Sequence, residues 1–215
     1  MTYFRVLVEG HADVPIVHEI LCRRFGLVEK INFQIHPHEG KGQLPIYPNN
    51  PPEPQRRGLL DVLPAKLRAW ASLPTDHVVV VLVDADQDDC IELKARLLNM
   101  YVGLPKKPGK VLFRIAVEES ESWLIADLFA VRAAYPKAKT QKISAVVPDS
   151  VIGASERLAE ALGRKRDFNR SDKREWAKAI MPHVDLNAPR SPSLRAFIEG
   201  VSRYVVGPTP LEAAH

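Results

Sequence analysis

The stretch HVVVVLVDADQDDC, residues 77–90, decides the fold. Six apolar residues, Val78 to Val83, run without a break, and Asp84, Asp86, Asp88 and Asp89 follow them. A short β-rich apolar run closed by turn-forming residues reads as a strand buried on both faces, as in a parallel sheet covered by helices. The aspartates then fall at the carboxyl end of that strand. In open α/β sheets this is the edge where ligands collect. The negative charge is therefore expected at the sheet's rim, where it can face a cation.

The flanking sequence repeats the pattern. FRVLVEG (4–10) and INFQIHPH (31–38) read as strands, and KVLFRIAVEES (110–120) as a further buried strand. Apolar residues at helical spacing predict helices over 14–27, 59–73, 90–104 and 122–135, with Asp13 and Pro15 at the first start and Gly26 at its end. Between them, GKGQLPIYPNNPPEPQRRG (40–58) is rich in Gly, Pro and Asn and reads as a loop. Strands alternating with helices predict an α/β fold with a mostly parallel, Rossmann-like sheet flanked by helices. From about residue 136 the texture becomes helical with polar links, including a last helix near 191–205 that starts at Ser191 or Ser193. The expected organisation is an α/β domain over 1–135 and a mainly helical C-terminal extension, 136–215, packed on it.

The composition is that of a globular protein, with 46% hydrophobic and 26% charged residues in a chain of 215. No apolar run approaches membrane-spanning length, the N-terminus lacks signal-peptide character, and two isolated cysteines form neither a metal pair nor a disulfide framework. A reducing cytoplasm with no membrane association is the expectation. The net charge of +4 permits nucleic-acid contact without demanding it. The excess is concentrated in GRKRDFNRSDKREW (163–176), where Arg164, Lys165, Arg166, Arg170, Lys173 and Arg174 offer either a solvated helix face or a phosphate-contacting surface.

Three strand ends carry acid: Glu9 in VEGHAD, Asp84 and Asp86 in VDADQDD, and Glu118, Glu119 and Glu121 in VEESESW. On extended chain, residues two apart share a side, so Asp84 and Asp86 are expected to aim at one site. A dense set of oxygen ligands suits a hard cation, Mg²⁺ or Mn²⁺. Of the third group, Glu119 and Glu121 share a side if the chain is extended there, and Glu118 and Glu121 if the helix has begun; the former is preferred. Asp88 and Asp89 read first as caps of the next helix, with a ligand role for Asp88 left open. Asp13 is either an N-cap residue or a support to the site, and His11 lies in the same turn. Asp61 and Glu92 read as solvated. His38 in HPHEGKGQL is a possible ligand, and Lys41 between two glycines can reach a phosphate, although GKG is not a P-loop. Trp123 and Trp176 read as core, and His183 as surface.

Taken together, a strand ending in VEGHADVP and a later strand ending in VDADQDD resemble the TOPRIM domain of topoisomerases, bacterial primases and the overcoming-lysogenization-defect nucleases. HEGKGQL and RIAVEESESWLIAD resemble, more narrowly, an uncharacterised bacterial TOPRIM-like family encoded beside AAA-type or SMC-like ATPases and linked to phage defence. The resemblance covers about residues 4–130 well. It implies Mg²⁺-dependent phosphodiester chemistry on DNA or RNA. Glu9 would act in acid–base catalysis beside the metal, Asp84 and Asp86 would hold the metal, and an ATPase would be a partner, with a homodimer possible. The chain departs from topoisomerases in lacking a defensible nucleophilic tyrosine motif, so the expectation is a small nuclease. The competing expectations are a non-catalytic subunit that regulates an ATPase or binds nucleic acid, and a nucleotide phosphohydrolase or transferase.

Overall fold

The computed structural model describes residues 1–150, 152–164 and 168–205. Four strands, β1 (Tyr3–Val8), β2 (Phe33–Pro37), β3 (His77–Asp84) and β4 (Val111–Ala116), form one sheet in the order β2-β1-β3-β4. Every pairing is parallel, with Val6 opposite Ile35 on one side and Val80 on the other, and Val81 opposite Phe113. Parallel pairing obliges each connection to cross over the sheet, and helices make these crossovers. They are α1 (Asp13–Glu19, continued by a π-helical turn over Ile20–Arg24), α2 (Leu59–Ala69) and α3 (Cys90–Gly103). The fold is α/β and Rossmann-like, with a helical C-terminal region.

The unbroken apolar run of β3 has the expected cause. Val78, Val80 and Leu82 face one core, and Val79, Val81 and Val83 face another. Helices α2 and α3 cover the second face through Leu59, Leu63, Leu67, Leu93 and Leu97. The first face is covered by α1 together with α4 (Glu121–Ile125), α5 (Leu128–Ala134), α6 (Ala154–Ala161), α7 (Arg170–Ile180) and α8 (Pro192–Ser202). Trp123 and Trp176 are buried there, and the Trp123 indole donates to Ser193 Oγ at 2.7 Å.

Two expectations about elements change. The single helix over 122–135 is two helices, because the Asp127 carboxylate caps α5 by accepting from Ala130 N at 3.0 Å and also accepts from Asp185 N at 3.1 Å. The first helix does not run as an α-helix to residue 27. It widens to the π-helical turn at Ile20 and stops where Gly26 takes a left-handed φ of 64°. No helix among the described residues is long and apolar enough to cross a membrane.

Candidate active site

The ends of β1, β3 and β4 deliver their acids to one rim. Glu9 immediately follows β1, and its Oε1 accepts from the backbone N–H of Asp84 at the end of β3, at 2.8 Å. This bond straps the first acid across to the second. Asp13, in the first turn of α1, is 7% exposed; its carboxylate accepts from Gly10 N at 3.0 Å and from Ser120 Oγ at 2.7 Å. It thus closes the Glu-Gly-x-x-Asp turn and ties it to the segment after β4. Glu121, at the start of α4, is 2% exposed.

Charge compensation for this recessed group comes from the other end of the chain. Lys173 of α7 places its ammonium 3.2 Å from Glu119 Oε1 and 3.4 Å from Glu121 Oε2. Burial alone would lower its pKa, but the fields of Glu121, Glu119 and Asp84 outweigh burial and raise it above the ordinary lysine value, so it stays charged. The carboxyls move the other way. Burial, aided by repulsion from Asp13 and Asp86 and opposed by the Asp84 N–H bond, lifts Glu9 to about 8. Burial lifts Glu121 to about 7, with Lys173 opposing and Glu119 and Asp13 reinforcing. Burial, then the charges of Asp13, Glu9 and Glu121, pushes Asp84 well above the usual carboxylate range. Asp13 is raised for the same primary reason.

Asp86 does not pair with Asp84 in the expected way. β3 ends at Asp84, and Asp86 has a left-handed φ of 51°, so strand alternation no longer applies. Its carboxylate lies 3.0 Å from the Lys41 ammonium, which also contacts Asp88 at 2.9 Å and donates to Ala85 O at 2.8 Å. Lys41 is held by backbone. Gly40 N donates to Glu9 O, and the carbonyls of Gly40 and Lys41 accept from Leu59 and Leu60, the first N–H groups of α2. A cleft of about 680 Å³ opens beside it, bounded by Lys41, Gln43, Asp86, Gln87, Asp88 and Arg96. Glu118 is a second left-handed non-glycine, with φ 65°, and its carbonyl accepts from Asp86 N at 2.8 Å. Two such costly conformations, bonded to each other at the rim, are the kind of strain that gathers at functional sites.

Other expected residues have different work. The Glu118 carboxylate accepts from Gly153 N and Ala154 N at the start of α6. Glu119 accepts from Ser155 N at 3.2 Å and from Ser155 Oγ. Asp89 is the N-cap of α3, accepting from Ile91 N and Glu92 N, whereas Asp88 pairs with Lys41 and Arg96. Asp61 is not simply solvated: it accepts from Gly58 N and Gln43 N, both at 3.1 Å. His38 has both ring nitrogens engaged, Nδ1 with Val8 O at 2.9 Å and Nε2 with Lys66 at 2.9 Å, which removes it from the acid group. His11 is exposed. Arg164, Arg170 and Arg174 are exposed, whereas Lys173 turns inward; Lys165 and Arg166 lie outside the described residues. The inward turn of Lys173 had a signal in the sequence. It stands three and four residues before Trp176 and Ala177, on the buried stripe of its helix.

The donors at this rim are all oxygens, the chemistry of a hard cation. Among the described residues no three His, Cys, Asp or Glu side chains converge closely enough to hold a metal ion. The rim therefore offers Mg²⁺ one or two carboxylates plus water, which is how that ion is ordinarily bound. Asp84 suits this role, since its carboxylate accepts no hydrogen bond among the described residues, and Glu9 keeps a second oxygen beyond the one bonded to Asp84.

No curated protein matches the chain by sequence. Among solved structures, the chain is similar to the C-terminal region of the Xanthomonas campestris pv. campestris OLD protein, with 15% identity, a TM-score of 0.50 and coverage of 95% of each chain. At that identity the likeness is one of fold. A family model described as a domain of unknown function, DUF4276, matches residues 8–202, from the last residue of β1 through the acid rim to the end of α8, and the chain belongs to that family.

Proposed function

We propose that the protein is a TOPRIM-type, Mg²⁺- or Mn²⁺-dependent nuclease that hydrolyses phosphodiester bonds of DNA or RNA. The observation that carries this reading is the convergence of Glu9, Asp13, Asp84 and Glu121 at the carboxyl rim of the sheet, strapped by the Glu9–Asp84 bond at 2.8 Å. Gathering acids that raise one another's pKa is unfavourable unless something positive is bound among them. A bound Mg²⁺ or Mn²⁺ would supply that charge and offset the charge developing on the phosphodiester. Asp84, with Asp86 at the cleft side, would hold it. Glu9, fixed through one oxygen, would take the proton of the attacking water with the other. Lys41, 15% exposed and anchored to Ala85 O, would face a phosphate oxygen in the cleft. Exposed Arg164, Arg170 and Arg174 would contact the nucleic-acid backbone. An AAA- or SMC-like ATPase partner, a role in phage defence, a bacterial cytoplasmic setting and a homodimeric state belong to the same proposal.

The test is cleavage of plasmid, single-stranded DNA and tRNA with Mg²⁺ or Mn²⁺, beside Glu9→Ala and Asp84→Ala/Asp86→Ala. The expected result is metal-dependent cleavage that falls by about 10²–10⁴-fold in each variant. One observation favours a second reading, a non-catalytic subunit that regulates an ATPase or binds nucleic acid. Lys41 and Lys173 already compensate part of the acid cluster from within the chain. Absence of cleavage with and without the ATPase, while the two proteins still bind, gives that reading the lead.

A further inference from the structure

A second group of titratable side chains lies away from the acid rim, between the sheet and α2. Three nitrogen-bearing groups meet around the Trp70 ring. The Arg5 guanidinium carbon is 5.3 Å from its centroid, the His36 ring 5.3 Å and the Lys66 ammonium 5.6 Å. They come from β1, from β2 and from α2, so the fold itself assembles them. Tyr3 extends the group, 5.6 Å from Arg5. Among the described residues Arg5 makes no ion pair, and Lys66 has only the His38 ring at 2.9 Å as a polar partner. Arg5 Nε and His36 Nε2 are buried without any hydrogen-bond partner. Buried polar atoms are nearly always satisfied, whereas these two belong to residues that are themselves only half-buried. The neighbours that act on His36 are Lys66, Arg5 and His38, with no acid among them, and together with burial they hold it near 4, hence neutral at pH 7.

Two cations and a neutral imidazole against an aromatic ring, lacking an acid, form the complement of an oxyanion. We propose that this face is a binding site for a phosphate group, free or carried by a nucleotide, with Arg5 and Lys66 supplying the charge and Trp70 the wall. Arg is suited to such sites because its planar fork matches phosphate geometry while its face stacks on aromatic rings. The site is separate from the acid rim and does not depend on nuclease activity.

The experiment is thermal unfolding and calorimetric titration of the full chain with sodium phosphate against sodium chloride at equal ionic strength, repeated with Arg5→Gln, Lys66→Gln and, as a rim control, Lys41→Gln. The expected result is a saturable rise in melting temperature of about 3–5 °C at ten times the dissociation constant. Affinity should fall at least about tenfold in the Arg5 and Lys66 variants and persist in Lys41→Gln. If Arg5→Gln fails to fold, tryptophan fluorescence decides: phosphate should change the signal of the wild type and not that of Trp70→Phe. AMP binding about tenfold tighter than phosphate assigns a nucleotide, and equal binding assigns the free anion. No saturable effect of phosphate, or an effect lost in Lys41→Gln and kept in Arg5→Gln, overturns the proposal.

Discussion

Replacing Lys173 by methionine keeps much of the side chain's apolar length and removes the charge that faces Glu119 at 3.2 Å and Glu121 at 3.4 Å. Glu121 is 2% exposed, so it would be left as a buried carboxyl without its cation. Breaking one side of a buried pair costs about 3 kcal/mol, and urea denaturation at about pH 8 should show a loss of that order. At about pH 5.5 the loss should shrink, because Glu121, raised to about 7, is then protonated and has no charge to orphan. The same shifts set the pH dependence of the metal-free protein. Glu9, raised to about 8, and Glu121, raised to about 7, hold protons more tightly when folded than at the ordinary value of 4.5. Their stabilising contribution is complete below that ordinary value and is lost as pH rises through 7 and 8. In EDTA, the melting temperature should therefore fall between about pH 5 and pH 8.5, and Glu121→Gln should flatten the fall. A melting temperature that is level or rises across that range would contradict these assignments.

At the scale of elements, the joint between the 40–58 loop and α2 fixes Lys41, and Gly42 is its tightest point. Gly42 has φ +66°, and a Cβ there would lie 2.7 Å from the Asp61 carboxyl carbon and 3.0 Å from Gly58 Cα. Gly42→Ala meets both a strained backbone and a wall, so it should destabilise by about 1–3 kcal/mol. Because it displaces the Lys41 loop, turnover in the proposed nuclease reaction should fall by more than the loss of folded protein accounts for. Cleavage rates normalised to the folded fraction measure this. Such joints were poorly legible in the sequence. Its period-two and apolar-run signals placed all four strands, since they depend only on which residues face a core. Strand alternation says nothing about Asp86, because β3 ends at Asp84 and Asp86 itself is left-handed. The break at Asp127 depends on a side-chain cap that competes with an otherwise helical pattern. Asp61 looked solvated because its partners, Gly58 N and Gln43 N, include a loop that periodicity cannot position. Lys173 reads locally as one cation in a basic run. Its role in the acid cluster depends on α7 packing beside α4, a long-range fact with no local signature beyond the helix's buried stripe.

For the molecule as a whole, the question is whether the sheet can stand without the C-terminal helices. One face of β1 and β3, including Phe4, Val6, Val78 and Val80, shares a core with Trp176, Ile180, Leu194 and Phe197. Trp123 packs its ring 5.7 Å from Phe197 and donates to Ser193, so even α4 is completed by α8. Glu118 and Glu119 accept from the first N–H groups of α6, so the acid rim itself is braced by the same helices. Each large apolar side chain stripped of its cover forfeits about 1.5–3 kcal/mol. Six such losses reach roughly the 5–15 kcal/mol that holds a domain folded. A fragment ending at residue 135 should therefore bind a hydrophobic dye, show reduced near-ultraviolet ellipticity and melt without a cooperative transition. The full chain should unfold in a single transition, monitored alike by far-ultraviolet ellipticity and tryptophan fluorescence. Two separated transitions in the full chain, or a cooperative melt of the fragment, would mean that the strand faces find other cover. In that case the acid rim could be assembled without α7 and Lys173. The dependence of site on core then makes a further demand: metal-induced stabilisation, if Asp84 and Asp86 hold the ion, should be present in the full chain and absent from the fragment, because Glu9, Asp13, Asp84 and Glu121 are gathered only where the C-terminal helices brace the rim.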